Sequence, residues 1–317
     1  MINESALDQP AGDPSISFQL EVQQGDIAST VVNRLQEVGI VNNAALLKNY
    51  LRYRGLDTSI EAGFYQLNGG MTIRTLAEEL QTATIRPDLF TVIEGWRKEE
   101  IAAALPKDTA NLSPSDFLTA TARRPADVSF SDELPEPPNL EGFLFPDTYH
   151  LDANLTAEAL VLKMIENFEL KVGPEFREGF RQRGLSLFQA VTLASIIERE
   201  AVIADEQPLI ASVFLNRLAL GMRLESDPTV QYAIGLTEAG WWKPALSIDD
   251  LQVDSPYNTY RYAGLPPGPI ANPGINAIRS VAFPAESTFL YFRAACDGSG
   301  RHNFAVTFEE HQKNACP

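Results

Sequence analysis

Three stretches of the chain share one layout: Gly25-Asp-Ile-Ala-Ser-Thr-Val31-Val-Asn-Arg-Leu35, Gly70-Met-Thr-Ile-Arg-Thr-Leu76-Ala-Glu-Glu-Leu80 and Gly95-Trp-Arg-Lys-Glu-Glu-Ile101-Ala-Ala-Ala-Leu105. In each, apolar residues follow a glycine at six and ten positions. Ahead of each glycine lies a short apolar run or alternation, at Phe18–Val22, Phe64–Leu67 and Leu89–Ile93. This reads as strand, glycine turn and short amphipathic helix, three times over. It predicts an α+β fold with small modules over residues 17–122. Strand–turn–helix is also a common arrangement, so three chance matches remain an alternative.

Outward from these modules, residues 1–16 are polar, carry Pro10 and Pro14, and read as a disordered lead-in. Residues 123–140 hold Pro125, Pro135, Pro137 and Pro138 among acidic residues and read as a linker. An aromatic stretch, Glu141-Gly-Phe-Leu-Phe-Pro-Asp-Thr-Tyr149, opens a second domain over 141–317. Helical periodicity is expected at 156–171, 186–203 and 207–220, then loops rich in Gly and Pro, then a strand at Phe289–Ala294.

Composition limits the partners. The 317 residues carry a formal net charge of −17, which argues against nucleic acid, whose phosphates are held by Lys and Arg. It equally argues against a polybasic grip on anionic lipid. No apolar run reaches the ~18 residues of a membrane span, and the polar N-terminus is no signal peptide. Either the protein is cytosolic or an export or anchor segment lies outside this sequence. Cys296 and Cys316 form no CxxC and have no histidine at metal-ligand spacing. They could close a disulfide loop, suited to an oxidising compartment, or remain two free thiols.

One helix carries candidate chemistry. From the N-cap Ser186, Leu193, Ile196, Ile197 and Glu200 fall on one face, so an apolar stripe ends in a carboxylate. Glu198 points elsewhere. A desolvated carboxyl has a raised pKa and can donate a proton near neutrality. The pattern also allows Glu200 to sit exposed at the helix end or paired with Arg217. Further on, Asp227-Pro228 reads as an N-cap with Pro at the start of a helix; Asp227, or Glu225, could alternatively be a second catalytic carboxylate. Ser255-Pro-Tyr-Asn-Thr-Tyr260 and the Pro/Gly-stiffened 264–274 loop concentrate aromatic, hydroxyl and amide groups that suit a glycan groove, or simply turn chemistry. The sequence has no HExxH, Walker A or GxGxxG motif and no GxSxG elbow. No metal or cofactor is expected.

Ala194-Ser-Ile-Ile-Glu-Arg-Glu200, Ser212-Val-Phe-Leu-Asn-Arg-Leu218, Gly221-Met-Arg-Leu224, Asp227-Pro-Thr229, Tyr257-Asn-Thr-Tyr260, Gly264-Leu-Pro-Pro-Gly268 and Asn272-Pro-Gly274 follow one another in that order. Together with Glu141-Gly and Pro146-Asp-Thr-Tyr149, this set resembles the endolytic murein transglycosylase, or YceG-like, family from about Phe18 to His311. Each motif is weak alone; their order is specific. The resemblance implies an N-terminal LysM-like α+β module followed by a mixed helix and strand catalytic domain, with Glu200 as the catalytic acid. It implies a substrate of peptidoglycan glycan strands, cleaved between N-acetylmuramic acid and N-acetylglucosamine to leave 1,6-anhydro ends. Substrate contacts are expected from Asn216, Ser226, Asp227, Tyr257, Asn258, Thr259, Tyr260 and Asn272. Work beside peptidoglycan synthases on the outer face of the cell membrane is also implied, although the family's membrane-spanning helix has no counterpart here and the resemblance does not imply the cysteine pair. A lysozyme-like hydrolase and a non-catalytic peptidoglycan-binding scaffold are the alternatives.

Overall fold

The computed structural model describes residues 4–23, 25–83, 89–106, 112–126, 128–151 and 155–316. The chain divides into two compact units, Met1–Asp88 and Leu89–Pro317.

In the first unit, a helical turn α1 (Glu4–Leu7) precedes β1 (Ser17–Val22), followed by helices α2 (Ala28–Glu37) and α3 (Ala44–Arg54), then β2 (Gly63–Asn68) and α4 (Ile73–Glu79). The two strands pair antiparallel, with Ser17 opposite Asn68 and Val22 opposite Gly63. Alternation explains the ribbon: Leu20, Val22, Tyr65 and Leu67 are buried while Gln19, Glu21 and Gln66 face solvent. The helices close over that face with Val31, Leu35, Leu47, Leu51 and Leu76. Asn43 and Thr72 accept backbone N–H bonds as caps of α3 and α4.

The expected disordered lead-in is instead ordered over its described residues; residues 1–3 lie outside them. Leu7 is buried in this core. Ala11 N–H donates to Met71 O, and Gly12 N–H to Gly69 O, both at 2.9 Å. A side chain at Gly12 would meet the Gly39 carbonyl oxygen at 2.3 Å. Backbone pairing, which polar composition does not disclose, holds the segment down.

In the second unit, β3 (Leu89–Thr91) pairs antiparallel with β4 (Thr148–His150). The third strand–glycine–helix stretch therefore belongs here and not to an N-terminal module ending at 122. Its helix α5 (Lys98–Ala104) packs on α6 (Pro114–Thr121), and α6 on α7 (Ala157–Lys171). The stretch expected as a linker also departs from expectation. Val128, Phe130 and Leu134 are buried in the core, and the Arg124 guanidinium donates to the carbonyls of Ser131, Leu134 and Pro135. Phe130, Phe143 and Phe168 form an aromatic cluster with ring centroids 5.0–5.5 Å apart.

Helices α8 (Pro174–Gln182), α9 (Leu187–Glu200), α10 (Gln207–Ala219), α11 (Asp227–Ile234) and α12 (Ile275–Ala282) follow. A hairpin of β5 (Tyr291–Ala294) and β6 (His302–Ala305) and a short helix α13 (Phe308–Lys313) come last. Helix α9 is the axis of this unit. It starts in a capping box between Ser186 and Gln189, buries every residue from Ala190 to Ile197, and packs against α8, α10, α11 and α12. Its C-terminal residue is Glu200.

Candidate active site

The face predicted on α9 is the face found: Leu193, Ile196 and Ile197 are fully buried, and one turn on, the Glu200 side chain enters a cleft. This cleft, of about 450 Å³, is lined by Glu200, Arg217, Glu225, Asp227 and Tyr260 together with Phe292, Arg293, His302 and His311. Burial pushes the Glu200 carboxyl up to about 7; the negative charge of Asp227 adds to the rise, while a bond from Ser226 and the charge of Arg217 oppose it. The Ser226 hydroxyl donates to Glu200 Oε1 at 2.5 Å.

Local backbone geometry aims that hydroxyl. Glu225 takes φ of 53°, the left-handed region that a non-glycine residue enters at a cost of about 1 kcal/mol. Its N–H donates to Thr259 O, and its carboxylate accepts from Arg217 at 3.3 Å. Ser226 then occupies the N-cap of α11, yet its side chain makes no cap bond; the hydroxyl is committed to Glu200. Asp227 is thus the first residue of the helix, not its cap, and its carboxylate accepts from Tyr260 Oη at 2.6 Å. That bond and burial push the Tyr260 hydroxyl pKa up, burial acting most strongly.

Arg217 does not form the end-of-helix pair with Glu200 that the sequence allowed. Its guanidinium donates to the carbonyls of Leu290, Arg223 and Leu224, and its ion pair is with Glu225. It contributes a fixed positive charge behind the acid.

The remaining sequence candidates divide by burial. Thr259 is buried, its hydroxyl accepting from Ser226 N–H at 3.0 Å and lying 2.9 Å from that of Thr229. Asn258 is buried, donating to Leu251 O and Val253 O and accepting from Tyr260 N–H. Asn272 is buried as well: its amide oxygen accepts from Gly142 and Leu144 N–H, and its NH2 donates to Trp96 O and Glu141 Oε1. Every polar atom of both amides is used within the fold, so Asn258 and Asn272 shape loops and present nothing to a ligand. Asn216 donates to Ser287 O and Phe289 O and lines a different hollow with Ser212 and Arg183. Tyr257 packs against Tyr232 with centroids 4.7 Å apart, and the cleft lining does not include it. The structure therefore brings together Glu200, Ser226, Asp227 and Tyr260, and places Thr259 behind them.

Glu198 departs from this group, accepting from Gly274 N–H at 3.1 Å. Among the described residues, no group of His, Cys, Asp and Glu is arranged to hold a metal ion. Sequence pattern did not single out Arg293 and His311 as site residues. The only signal was period-two alternation in β5, which sets Tyr291 and Arg293 on one face.

The YceG-like family profile matches residues 20–316, nearly the whole chain. The chain belongs to the YceG-like family. Relatives agree with this. The endolytic murein transglycosylase of Bacillus subtilis is 32% identical, over 99% of this chain and 88% of its own length. That of Streptococcus pneumoniae strain D39 is 28% identical, over 92% of this chain and 57% of its own. The crystal structure of a YceG-like protein from Listeria monocytogenes superposes with a TM-score of 0.63 at 30% identity, covering 94% of this chain and 98% of that one. In this YceG-like chain the acid of the Ile-Glu-Arg-Glu run that faces the cleft is the second, Glu200.

Proposed function

We propose that this protein is a peptidoglycan lytic transglycosylase that cleaves glycan strands internally with Glu200 as both acid and base. The observation that carries the reading is the Glu200 carboxyl, half-buried at the end of an apolar helix face and held by the Ser226 hydroxyl in the cleft, where burial raises its proton affinity. A carboxyl in that state donates a proton at neutral pH and takes one back with little driving-force penalty.

In the reaction, Glu200 gives its proton to the oxygen between N-acetylmuramic acid and N-acetylglucosamine. The C1–O bond breaks through an oxocarbenium-like state. The resulting Glu200 carboxylate, steadied by the Ser226 hydroxyl and the Arg217 charge, then removes the proton of the muramic acid C6 hydroxyl. That oxygen closes on C1 as a 1,6-anhydro ring, and Glu200 is protonated again. Asp227 raises the acid's proton affinity from nearby and, with Tyr260, offers polar contacts to the sugars. No water is consumed.

The first unit, with two helices between paired strands, is read as a LysM-like glycan-gripping module. The site of action is the cell envelope, at the outer face of the cell membrane and beside the synthases that supply new strands. The disulfide between Cys296 and Cys316 suits an oxidising compartment. Among the described residues, no helix is long and apolar enough to cross a membrane.

The test is to give the protein and its Glu200→Gln variant uncrosslinked strands, and to measure strand binding and new chain ends together. The reading expects both proteins to bind and only the wild type to create ends. A variant that cuts as fast as the wild type removes Glu200 from the chemistry; a wild type that binds without cutting supports a scaffold.

A further inference from the structure

Most charged groups around the cleft are already committed. Arg217 is consumed by three carbonyls and Glu225. His302 Nδ1 lies 2.9 Å from Glu206. Two groups are left. The guanidinium of Arg293 is exposed and, among the described residues, has no hydrogen-bond or ion-pair partner. His311 Nδ1 is buried without a partner. Both line the cleft that Glu200 enters.

These two groups sit on one braced wall. Arg293 is on β5 and His311 on α13, and the His311 ring stacks on Tyr291 at 5.3 Å. The disulfide joins Cys296, just beyond β5, to Cys316, just beyond α13. Burial, then Arg293 and Arg217, depress the proton affinity of His311, while Glu225 opposes them. In a chain of net charge −17, with 42 acidic residues available to neutralise a surface cation, a guanidinium left unpaired at a cleft wall is complementary to an anion brought by the ligand.

The geometry points to a carboxylate-binding subsite formed by Arg293 on the wall it shares with His311, which selects glycan strands by an acidic substituent beside the cleaved bond. This rests on the reading of the cleft as a peptidoglycan groove. The planar guanidinium matches a carboxylate with two N–H groups, and the His311 ring lines the wall beside it. Peptidoglycan offers carboxylates from two sources: its stem peptides, and the lactyl group of muramic acid where the peptide has been removed. Arg293 and His311 take no part in proton transfer; they set which strands fit.

The experiment compares wild type with Arg293→Gln on three uncrosslinked strand preparations. These are peptide-bearing strands, strands stripped by an amidase to free lactyl carboxylates, and peptide-bearing strands with every carboxylate converted to amide. The subsite predicts a KM about tenfold higher for the variant, the loss of one charge-assisted hydrogen bond, with kcat within about twofold. An effect on peptide-bearing strands alone assigns the stem peptide as source; an effect on stripped strands alone assigns the lactyl group; an effect on both means the wall accepts either. On amidated strands the wild type should fall to the level of the variant, and Arg293→Lys should recover part of the loss on charged strands. Equal KM values on both charged preparations would overturn the proposal. So would a wild-type advantage that survives amidation undiminished, since that signals a structural role. Strand affinities of Glu200→Gln, with and without Arg293→Gln, give the same comparison without turnover. A failure of the cleavage reading therefore remains distinct from a failure of the subsite.

Discussion

Replacing Glu200 by Gln exchanges one oxygen for an amide nitrogen and removes an ionisable group from a half-buried position in the cleft. In the fold, burial pushes the carboxyl from its ordinary 4.5 up to about 7. Between those values the folded state keeps a proton that the unfolded chain has lost, so this residue's contribution to stability is complete below 4.5 and is lost as pH rises through 7. At about 1.4 kcal/mol per pH unit, the full shift amounts to a burden of about 3.5 kcal/mol at pH 8, which the partial exposure of the side chain discounts to roughly 2 kcal/mol. Glutamine carries no such burden and can still accept the Ser226 bond. Glu200→Gln should therefore abolish strand cleavage yet stabilise the unit that contains it, by roughly 2 kcal/mol at about pH 8 and by little at about pH 4.5. For a unit of this size that corresponds to a melting temperature about 4–8 °C higher. Paired thermal melts of wild type and variant across that pH range measure the difference. A variant no more stable than the wild type at the alkaline end, or a gap that stays constant with pH, would refute the claim that Glu200 is held with a raised proton affinity.

Other perturbations separate the roles of its neighbours. Ser226→Ala removes the donor that favours the charged acid, so the alkaline limb of the kcat/KM profile should move to higher pH. Asp227→Asn removes the charge that disfavours it, so the same limb should move to lower pH; activity should persist within about tenfold, whereas a hydrolytic nucleophile would lose far more. Asn272→Ala leaves the buried N–H groups of Gly142 and Leu144 without their acceptor and should cost about 3 kcal/mol in urea denaturation, through the fold and not through contact with substrate. Replacing Cys296 and Cys316 by Ser opens a loop of 20 residues and should lower stability by roughly 3 kcal/mol on the loop-entropy scale, read as a lower melting temperature.

Periodic features are legible in the amino-acid sequence itself. Alternation at 18–22 and 64–67 marks β1 and β2, and the apolar stripe of α9 with its Ser186 cap marks both the helix and the residue it delivers to the cleft. The features that pattern does not disclose have a common cause. Residues 4–16 and 128–140 look like lead-in and linker because they are polar and proline-rich, yet a few apolar residues and backbone bonds fix them: Leu7 and Ala11 in one unit, Phe130 and Leu134 in the other. The third strand–glycine–helix repeats the local layout of the first two, but β3 finds its partner at β4, 57 residues on. Local pattern carries no information about that choice. Asn258 and Asn272 have the composition of ligand contacts, because a buried loop needs the same amides to satisfy its own carbonyls and N–H groups. Arg293 and His311 line one cleft only because β5 packs on α10 and α13 packs on the β5–β6 hairpin.

The central claim, that Glu200 drives a ring closure without water, is tested most directly by cleaving defined uncrosslinked strands in water enriched in heavy oxygen and weighing the new muramic acid ends. The account predicts ends one water lighter than hydrolysis products, with no heavy oxygen incorporated, formed by the wild type and absent with Glu200→Gln. Reducing ends carrying the heavy oxygen would contradict it and assign the cleft to a hydrolase.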